Sequence, residues 1–257
     1  METSEAGTEG PDSAKSPASV PNLSVVIPAF NEDHRIGRSL DRILKFLAER
    51  HQGAEVIVVD DGSTDRTSEI AAAYQNENLR VLRNATNRGK GYSVRRGYLE
   101  AKGQWVLFTD ADLSAPIEEL EHLWAAGAEG ADVVIGSRAV DRRKILVHQS
   151  LFRETAGIIF NRIVRLILRL PIVDTQCGFK LFRRKRLMDV FERQTVYGFG
   201  FDPEILFLAR KQGLEIREVA VAWSHDPATK VRFLQDSLRM FLDVLRIRWN
   251  WLMGRYK

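Results

Sequence analysis

From residue 23 onward, short apolar runs alternate with stretches whose apolar residues recur every three or four positions. Leu23-Ser24-Val25-Val26-Ile27-Pro28 has the length of a buried strand, and Ile36, Leu40, Ile43, Leu44 and Leu47 mark one face of a helix. The pattern then predicts a strand over 55–60, a helix over 65–75 capped by Ser63, Thr64 or Asp65, and a strand over 79–83. A helix through Val94, Tyr98 and Ala101, a strand over 105–109, a helix over 117–129 and a strand over 132–136 follow. Alternation of this kind predicts an α/β fold, a mostly parallel sheet with helices on both faces.

After Arg138 the rhythm changes. Residues 154–170 read as an amphipathic helix with Ile159, Ile163, Leu166, Ile167 and Leu170 on one side and Arg162, Arg165 and Arg169 on another. A second helix, over 233–252, sets Leu234, Leu238, Phe241, Leu245, Trp249 and Leu252 opposite Gln235, Arg239, Asp243, Arg246 and Asn250. Packing against the sheet is one destination for these stripes. A bilayer interface is the other, and the basic residues and Trp249 and Trp251 suit it.

Candidate chemistry gathers where strands end. Val56-Ile57-Val58-Val59 runs into Asp60-Asp61-Gly62-Ser63-Thr64-Asp65, and Trp105-Val106-Leu107-Phe108-Thr109 runs into Asp110-Ala111-Asp112. Open α/β sheets bind ligands beyond the carboxyl ends of their strands. Asp110 and Asp112 stand at i and i+2, which in an extended chain puts both side chains on one face, as a shared divalent cation requires. Helix caps and turns are the competing use of such residues. Gly89-Lys90-Gly91 opens a helix, so its amides and Lys90 can face phosphate, although a plain turn with a solvated lysine fits as well. Neither a G-x-x-x-x-G-K-[ST] phosphate loop nor a G-x-G-x-x-G turn is present, so kinase and dinucleotide readings have no support.

Composition adds three points. With 257 residues, 44% hydrophobic and 28% charged, the chain has enough material for a full core. Its single cysteine, Cys177, excludes an internal disulfide and reads as a small buried apolar residue. The net charge of +4 is uneven: residues 142–170 carry seven Lys or Arg against one Glu, and residues 229–257 carry seven against two Asp. Positive charge downstream of the acidic strand ends points to an anionic partner met there. Residues 1–21 are rich in Ser, Gly, Pro, Ala and Glu and read as a disordered tail without a signal peptide; residues 22–228 read as one α/β domain, and 229–257 as a basic amphipathic segment. No apolar run reaches the roughly 20 residues that span a bilayer.

The strand ends, together with Val25-Val26-Ile27-Pro28-Ala29-Phe30-Asn31-Glu32, resemble the nucleotide-sugar-binding half of the inverting family two glycosyltransferases, which have the GT-A fold. Asp174-Thr175-Gln176-Cys177-Gly178-Phe179-Lys180-Leu181-Phe182, Phe201-Asp202-Pro203-Glu204 and Lys230-Val231-Arg232-Phe233 narrow this to a likeness with the dolichyl-phosphate glucosyltransferase branch, whose relatives include the dolichyl-phosphate mannose synthases. The likeness spans about residues 22–250.

That resemblance implies a metal, Mg²⁺ or Mn²⁺, on Asp112, with Asp110 on metal or ribose, and Asp61 with Pro28, Phe30 and Glu32 around the nucleoside. Relatives in the mannose branch often carry a further Gln ligand two residues after the second Asp, where Ser114 stands here. It also implies that Arg138, after the strand ending Gly136-Ser137, meets phosphate; Arg153, Lys230 and Arg232 offer further cations for the acceptor. A phosphate acceptor is already an anion at neutral pH, whereas an alcohol needs a base, for which Asp174 and Asp202 are the candidates; Asp202 before Pro203 can instead cap a helix. The surplus of cations favours the phosphate.

The expected activity is transfer of glucose from UDP-glucose to a polyprenyl phosphate at the cytoplasmic face of a membrane. GDP-mannose or another donor, and an alcohol acceptor in a surface polysaccharide, are the enzymatic rivals. The eukaryotic enzymes of the branch carry a membrane anchor, a pattern from which this sequence departs. A nucleic-acid-binding role, suggested by a pI near 9.3, is disfavoured because the acidic clusters would repel a phosphate backbone. A metal-dependent nucleotidyltransferase would share the acidic strand ends but leave the lipid-facing helices without a purpose.

Overall fold

The computed structural model describes residues 22–147, 150–225 and 233–256. The tail expected at 1–21 and the cations Lys230 and Arg232 lie outside the described residues.

The alternating half folds as its pattern predicts. β1 (Leu23–Ala29), α1 (Ile36–Arg50), β2 (Glu55–Asp60), α2 (Thr67–Ala72), β3 (Leu79–Arg83), α3 (Lys90–Glu100), β4 (Trp105–Thr109), α4 (Leu120–Ala128) and β5 (Val133–Ser137) follow in order. Every residue of β1, β2 and β5 is buried. Strands buried at both alternating positions are covered on both faces, which is why these runs show no polar alternation. α2 is shorter than its apolar period suggested. Asp65 turns back to accept from the Thr67 amide at 2.9 Å and hydroxyl at 2.6 Å, so the turn before the helix takes up residues assigned to it. The helix expected over 117–129 begins as a 3₁₀ turn, Ile117–Glu119, after Pro116.

The second half contains β6 (Ile145–Val147), α5 (Leu151–Leu168), β7 (Phe179–Arg183), α6 (Arg184–Glu192), α7 (Phe201–Lys211), β8 (Ile216–Ala220), β9 (Trp223–Ser224) and α8 (Phe233–Leu252). The seven-stranded sheet has the order β3-β2-β1-β4-β7-β5-β8, and β6 pairs with β9 apart from it. β7 runs antiparallel to both β4 and β5 in an otherwise parallel sheet. Its register sets Phe179 opposite Thr109, so the residues entering β7 arrive beside the residues leaving β4. One reversed strand thus brings the 174–178 segment to the edge where Asp110 and Asp112 stand.

The two amphipathic helices pack against each other, and α8 also packs on α7. Their apolar stripes face outward. On α5, Ile159, Ile163 and Leu166 are exposed; on α8, Leu238, Leu242, Leu245, Trp249 and Leu252 are exposed, while Asp236 and Asn250 are buried. The sheet-facing destination therefore fails for most of the stripe, although Val164 and Leu168 of α5, Leu170 just beyond its end, and Val244 and Ile247 of α8 reach the core. Among the described residues no helix is long and apolar enough to cross a membrane.

Candidate active site

A cavity of about 380 Å³ opens at the carboxyl ends of β4 and β5. Its lining joins the candidate acids Asp110, Asp112, Asp174 and Asp202 with the candidate cations Lys90, Arg138 and Arg153. Pro28, Phe30, Glu32 and Asp61 stand outside this lining, where β1 and β2 end.

Asp110 and Asp112 follow β4 through a turn in which Leu113 takes a positive φ of 49°. The Asp112 carboxylate accepts the Ser114 amide at 2.9 Å. Burial, and next the charge of Asp110, push the Asp112 carboxyl above the usual carboxylate range. Asp110 receives the Lys90 ammonium at 2.6 Å. Burial works against the charged lysine, but Asp110 and then Asp202 outweigh it and hold Lys90 more firmly protonated than a solvated lysine. The space for Asp110 comes from Gly178, whose carbonyl accepts the Asp110 amide at 3.2 Å.

Opposite stands Arg138, just beyond β5. Its guanidinium donates to both oxygens of Asp174, at 2.7 and 2.8 Å, and its amide donates to the same carboxylate at 3.0 Å. Burial alone would raise the Asp174 carboxyl; the Arg138 charge and these bonds reverse that and hold it below the usual range. Glu218 on β8 accepts the amides of Val173 and Asp174 at 2.7 and 2.8 Å, which fixes the loop carrying the clamp. The Trp223 ring lies 5.3 Å from the guanidinium. Arg153 enters from the first turn of α5, which Ser150 caps.

Asp202 has a different surrounding from the one its sequence suggested. Gly200 is the cap residue of α7, and Asp202 lies inside the first turn. Its carboxylate takes the Lys180 ammonium at 2.5 Å, and both side chains are almost fully buried. Asp61 also has a protein task. Its oxygens accept the Asn84 side chain at 2.6 Å and the amides of Arg88 and Gly89 at 3.0 and 2.8 Å, which holds the loop leading into Lys90. The Glu32 carboxylate is paired with Arg35.

Several lining residues escaped the sequence reading: Asn161, Gln176, Trp223 and His225. Trp223 and His225 arrive through β9, where the Ser224 amide donates to the Ser114 carbonyl at 2.8 Å. Gln176 and Gly178 lie in the run that carried the family resemblance, and that run was the available signal. Cys177 in the same run is buried, and burial, with Asp174 next, pushes its thiol up to about 12, so it stays protonated.

One cavity lined by Asp110 and Asp112 and by Arg138 and Arg153 can hold a cation on the carboxylates and anionic groups on the arginines. The match to the model of glycosyl transferase family 2, over residues 24–191, covers the strands and turns that build this arrangement. The chain belongs to that family. It is similar to the dolichyl-phosphate beta-glucosyltransferases of Dictyostelium discoideum, at 35% identity over 91% of this chain and 76% of that protein, and of Drosophila melanogaster, at 37% over 91% and 77%. The Homo sapiens protein of the same name is 34% identical over the same shares. This family two member is thus a glycosyltransferase of the dolichyl-phosphate beta-glucosyltransferase kind. Its fold is shared with glucosyl-3-phosphoglycerate synthase from Mycobacterium tuberculosis, solved with Mn²⁺ and UDP-glucose, at a TM-score of 0.64, 23% identity and coverage of 89% of this chain and 79% of that one. Mannosyl-3-phosphoglycerate synthase from Rubrobacter xylanophilus gives 0.67 at 21% identity, over 91% and 75%.

Proposed function

We propose that this glycosyltransferase moves glucose, with inversion, from UDP-glucose to a polyprenyl phosphate of the dolichyl type at a membrane surface. The observation that carries the reading is the placement of Arg138 and Arg153 in the same cavity as Asp110 and Asp112. The names of the most similar relatives support both the sugar and the lipid phosphate.

The donor side lies along β1, β2 and β4. Pro28, Phe30 and Glu32 flank the nucleoside, and Asp61 acts through the loop it holds. Lys90, at the opening of α3, meets the diphosphate. Among the described residues no group of three or more His, Cys, Asp or Glu side chains is placed to hold a metal by itself. Asp110 and Asp112 nonetheless fit Mg²⁺ or Mn²⁺: such ions commonly take one or two carboxylates and complete their shell with substrate phosphates and water. The Lys90 ammonium against Asp110 shows that the seat already attracts positive charge. A bound divalent ion would offset the charge that grows on the departing diphosphate.

On the acceptor side, Arg138 and Arg153 draw in the lipid phosphate. Asp174 keeps the plane of the Arg138 guanidinium fixed, so a phosphate oxygen meets a preorganised fork. That oxygen attacks the anomeric carbon, the bond to the β-phosphate breaks, and the electron pair leaves with UDP. The acceptor enters as an anion, so no side chain has to remove a proton. The outward apolar stripes of α5 and α8 provide the membrane seat, with Arg153 on the same helix as Ile159 and Ile163.

The test is a donor screen with purified protein, Mg²⁺ or Mn²⁺ and a short polyprenyl phosphate, read by the mass of the glycolipid. Hexose transfer from UDP-glucose is expected. Transfer from GDP-mannose instead, or transfer to a polyprenyl alcohol and not to its phosphate, would overturn the reading.

A further inference from the structure

Glu204 is a fully buried carboxylate that the transfer step does not use. It sits in the first turn of α7, with the Asp243 carboxyl nearby, and its oxygens are met by hydrogen-bond donors. Oε1 accepts the Thr195 amide at 3.0 Å, the Thr195 hydroxyl at 2.7 Å and the Tyr256 hydroxyl at 2.5 Å; Oε2 accepts the Val196 amide at 2.8 Å. Tyr256, itself buried, comes from the segment that follows α8, and burial together with the Glu204 charge keeps its hydroxyl protonated.

The segment held in this way touches the start of α3. Gln194 donates to the Gly91 carbonyl at 3.0 Å and to the Val196 carbonyl at 2.8 Å. The Tyr92 amide donates to the Tyr197 carbonyl at 3.2 Å. Gly89, with a φ of 99°, lies so close to that carbonyl that a side chain there would overlap it. Residues 89–92 are thereby braced from the α7 side by 194–197, as Asp61 braces Gly89 from the β2 side. Lys90 stands between the two braces.

We propose that Glu204 is a positioning residue for the donor site: with Tyr256 it clips residues 194–197 against the first turn of α3 and so fixes where Lys90 stands. The inference rests on the reading of Lys90 as a contact to the donor diphosphate. It makes the segment after α8, far from Lys90 in sequence, a determinant of donor affinity. A carboxylate suits the task because it accepts from every neighbour, whereas a glutamine would turn an N–H toward atoms that are themselves donors.

The experiment measures UDP affinity by calorimetry, in the presence of Mn²⁺, for the full chain and for Tyr256→Phe, Glu204→Gln, Lys90→Ala and Lys90→Ala with Tyr256→Phe. Donor and acceptor Michaelis constants and the melting temperature are recorded for each. Tyr256→Phe removes one hydroxyl, so it stays folded even where Glu204→Gln does not. It is expected to weaken UDP roughly tenfold, the scale of one lost bond to a charged group. It should raise the donor constant without raising the acceptor constant, and add little once Lys90 is gone. Lower melting temperatures with unchanged UDP affinity would overturn the clip, and so would a loss that adds in full to that of Lys90→Ala. Wild-type affinity in Lys90→Ala would overturn the reading of Lys90 instead.

Discussion

Gly178 and Asp110 occupy one space: the Asp110 carboxylate lies where a side chain on residue 178 would begin. The contact follows from the antiparallel register of β4 and β7, which sets the two residues side by side at the sheet edge. Gly178→Ala is therefore expected to displace the carboxylate and lower turnover by about a hundredfold or more, as loss of a preorganised charged group does. Stability should fall by about 1–3 kcal/mol, the usual cost of one methyl too many in a packed site. Steady-state kinetics and thermal unfolding of the variant check both.

Asp112→Ala should abolish turnover and leave the fold intact, because it removes a carboxylate from the cavity edge and little core volume. Excess EDTA should do the same to the unmodified protein, with recovery on adding Mn²⁺. Near-normal activity in either condition would remove the metal from the mechanism.

The arginines and Asp202 separate the two kinds of acceptor. Arg138→Ala and Arg153→Ala should each raise the Michaelis constant for the lipid phosphate or lower turnover roughly ten- to a thousandfold, for a charge-assisted contact worth about 1.5 to 4 kcal/mol. Asp202→Asn leaves the buried Lys180 without its partner, which costs about 3–5 kcal/mol whether or not a proton is transferred. The informative variant is Asp202→Leu with Lys180→Met, which removes both charges together. Measurable transfer to the lipid phosphate by this pair, with no acidic limb lost from the pH–rate profile, is expected; an inactive but folded pair would point to Asp202 as a base.

Acid should test the clamp between Asp174 and Arg138. The folded carboxyl titrates below its ordinary value, so its stabilisation is present above the unfolded pKa, near 3.9, and is lost as pH falls through the lower folded value. Asp174→Asn should destabilise the protein at neutral pH and flatten the fall of stability with acid. Urea unfolding of both proteins between about pH 3 and 7 gives the comparison.

Binding to anionic vesicles should weaken as salt rises, and should weaken further when Leu245 and Trp249, both exposed on α8, are changed to Glu. Co-sedimentation indifferent to both changes would place the seat elsewhere.

Most strands of the first half were legible because they are nearly continuous apolar runs in a doubly covered sheet; β3, at the sheet edge, interleaves Arg80 and Arg83 with Leu79, Val81 and Leu82 and is only partly buried. Asp110 and Asp112 were legible for the same reason, as polar residues where such a run stops. β7 was not: Phe179-Lys180-Leu181-Phe182-Arg183 carries Lys180 in mid-strand, and nothing local reveals that Asp202, twenty-two residues on, neutralises it. Asp202 looked like a helix cap because its partner is remote. The face on which the α5 and α8 stripes lie was equally out of reach, since periodicity gives the width of a stripe and not the direction in which it points. Asp61 is a strand-end carboxylate whose donors, Asn84, Arg88 and Gly89, come from the loop between β3 and α3.

The reversed β7 also bears on how such enzymes can be recombined. Residues 179–183 lie between two strands contributed by the first half, so β4 and β5 do not pair with one another. A fragment ending before residue 179 would leave two open edges about two strand spacings, roughly 10 Å, apart. Segments from the two halves of the chain are therefore interleaved in one sheet, and a cut before residue 179 would separate strands that pair. Changes confined to the loops and to α5 and α8 would leave that interleaved sheet whole.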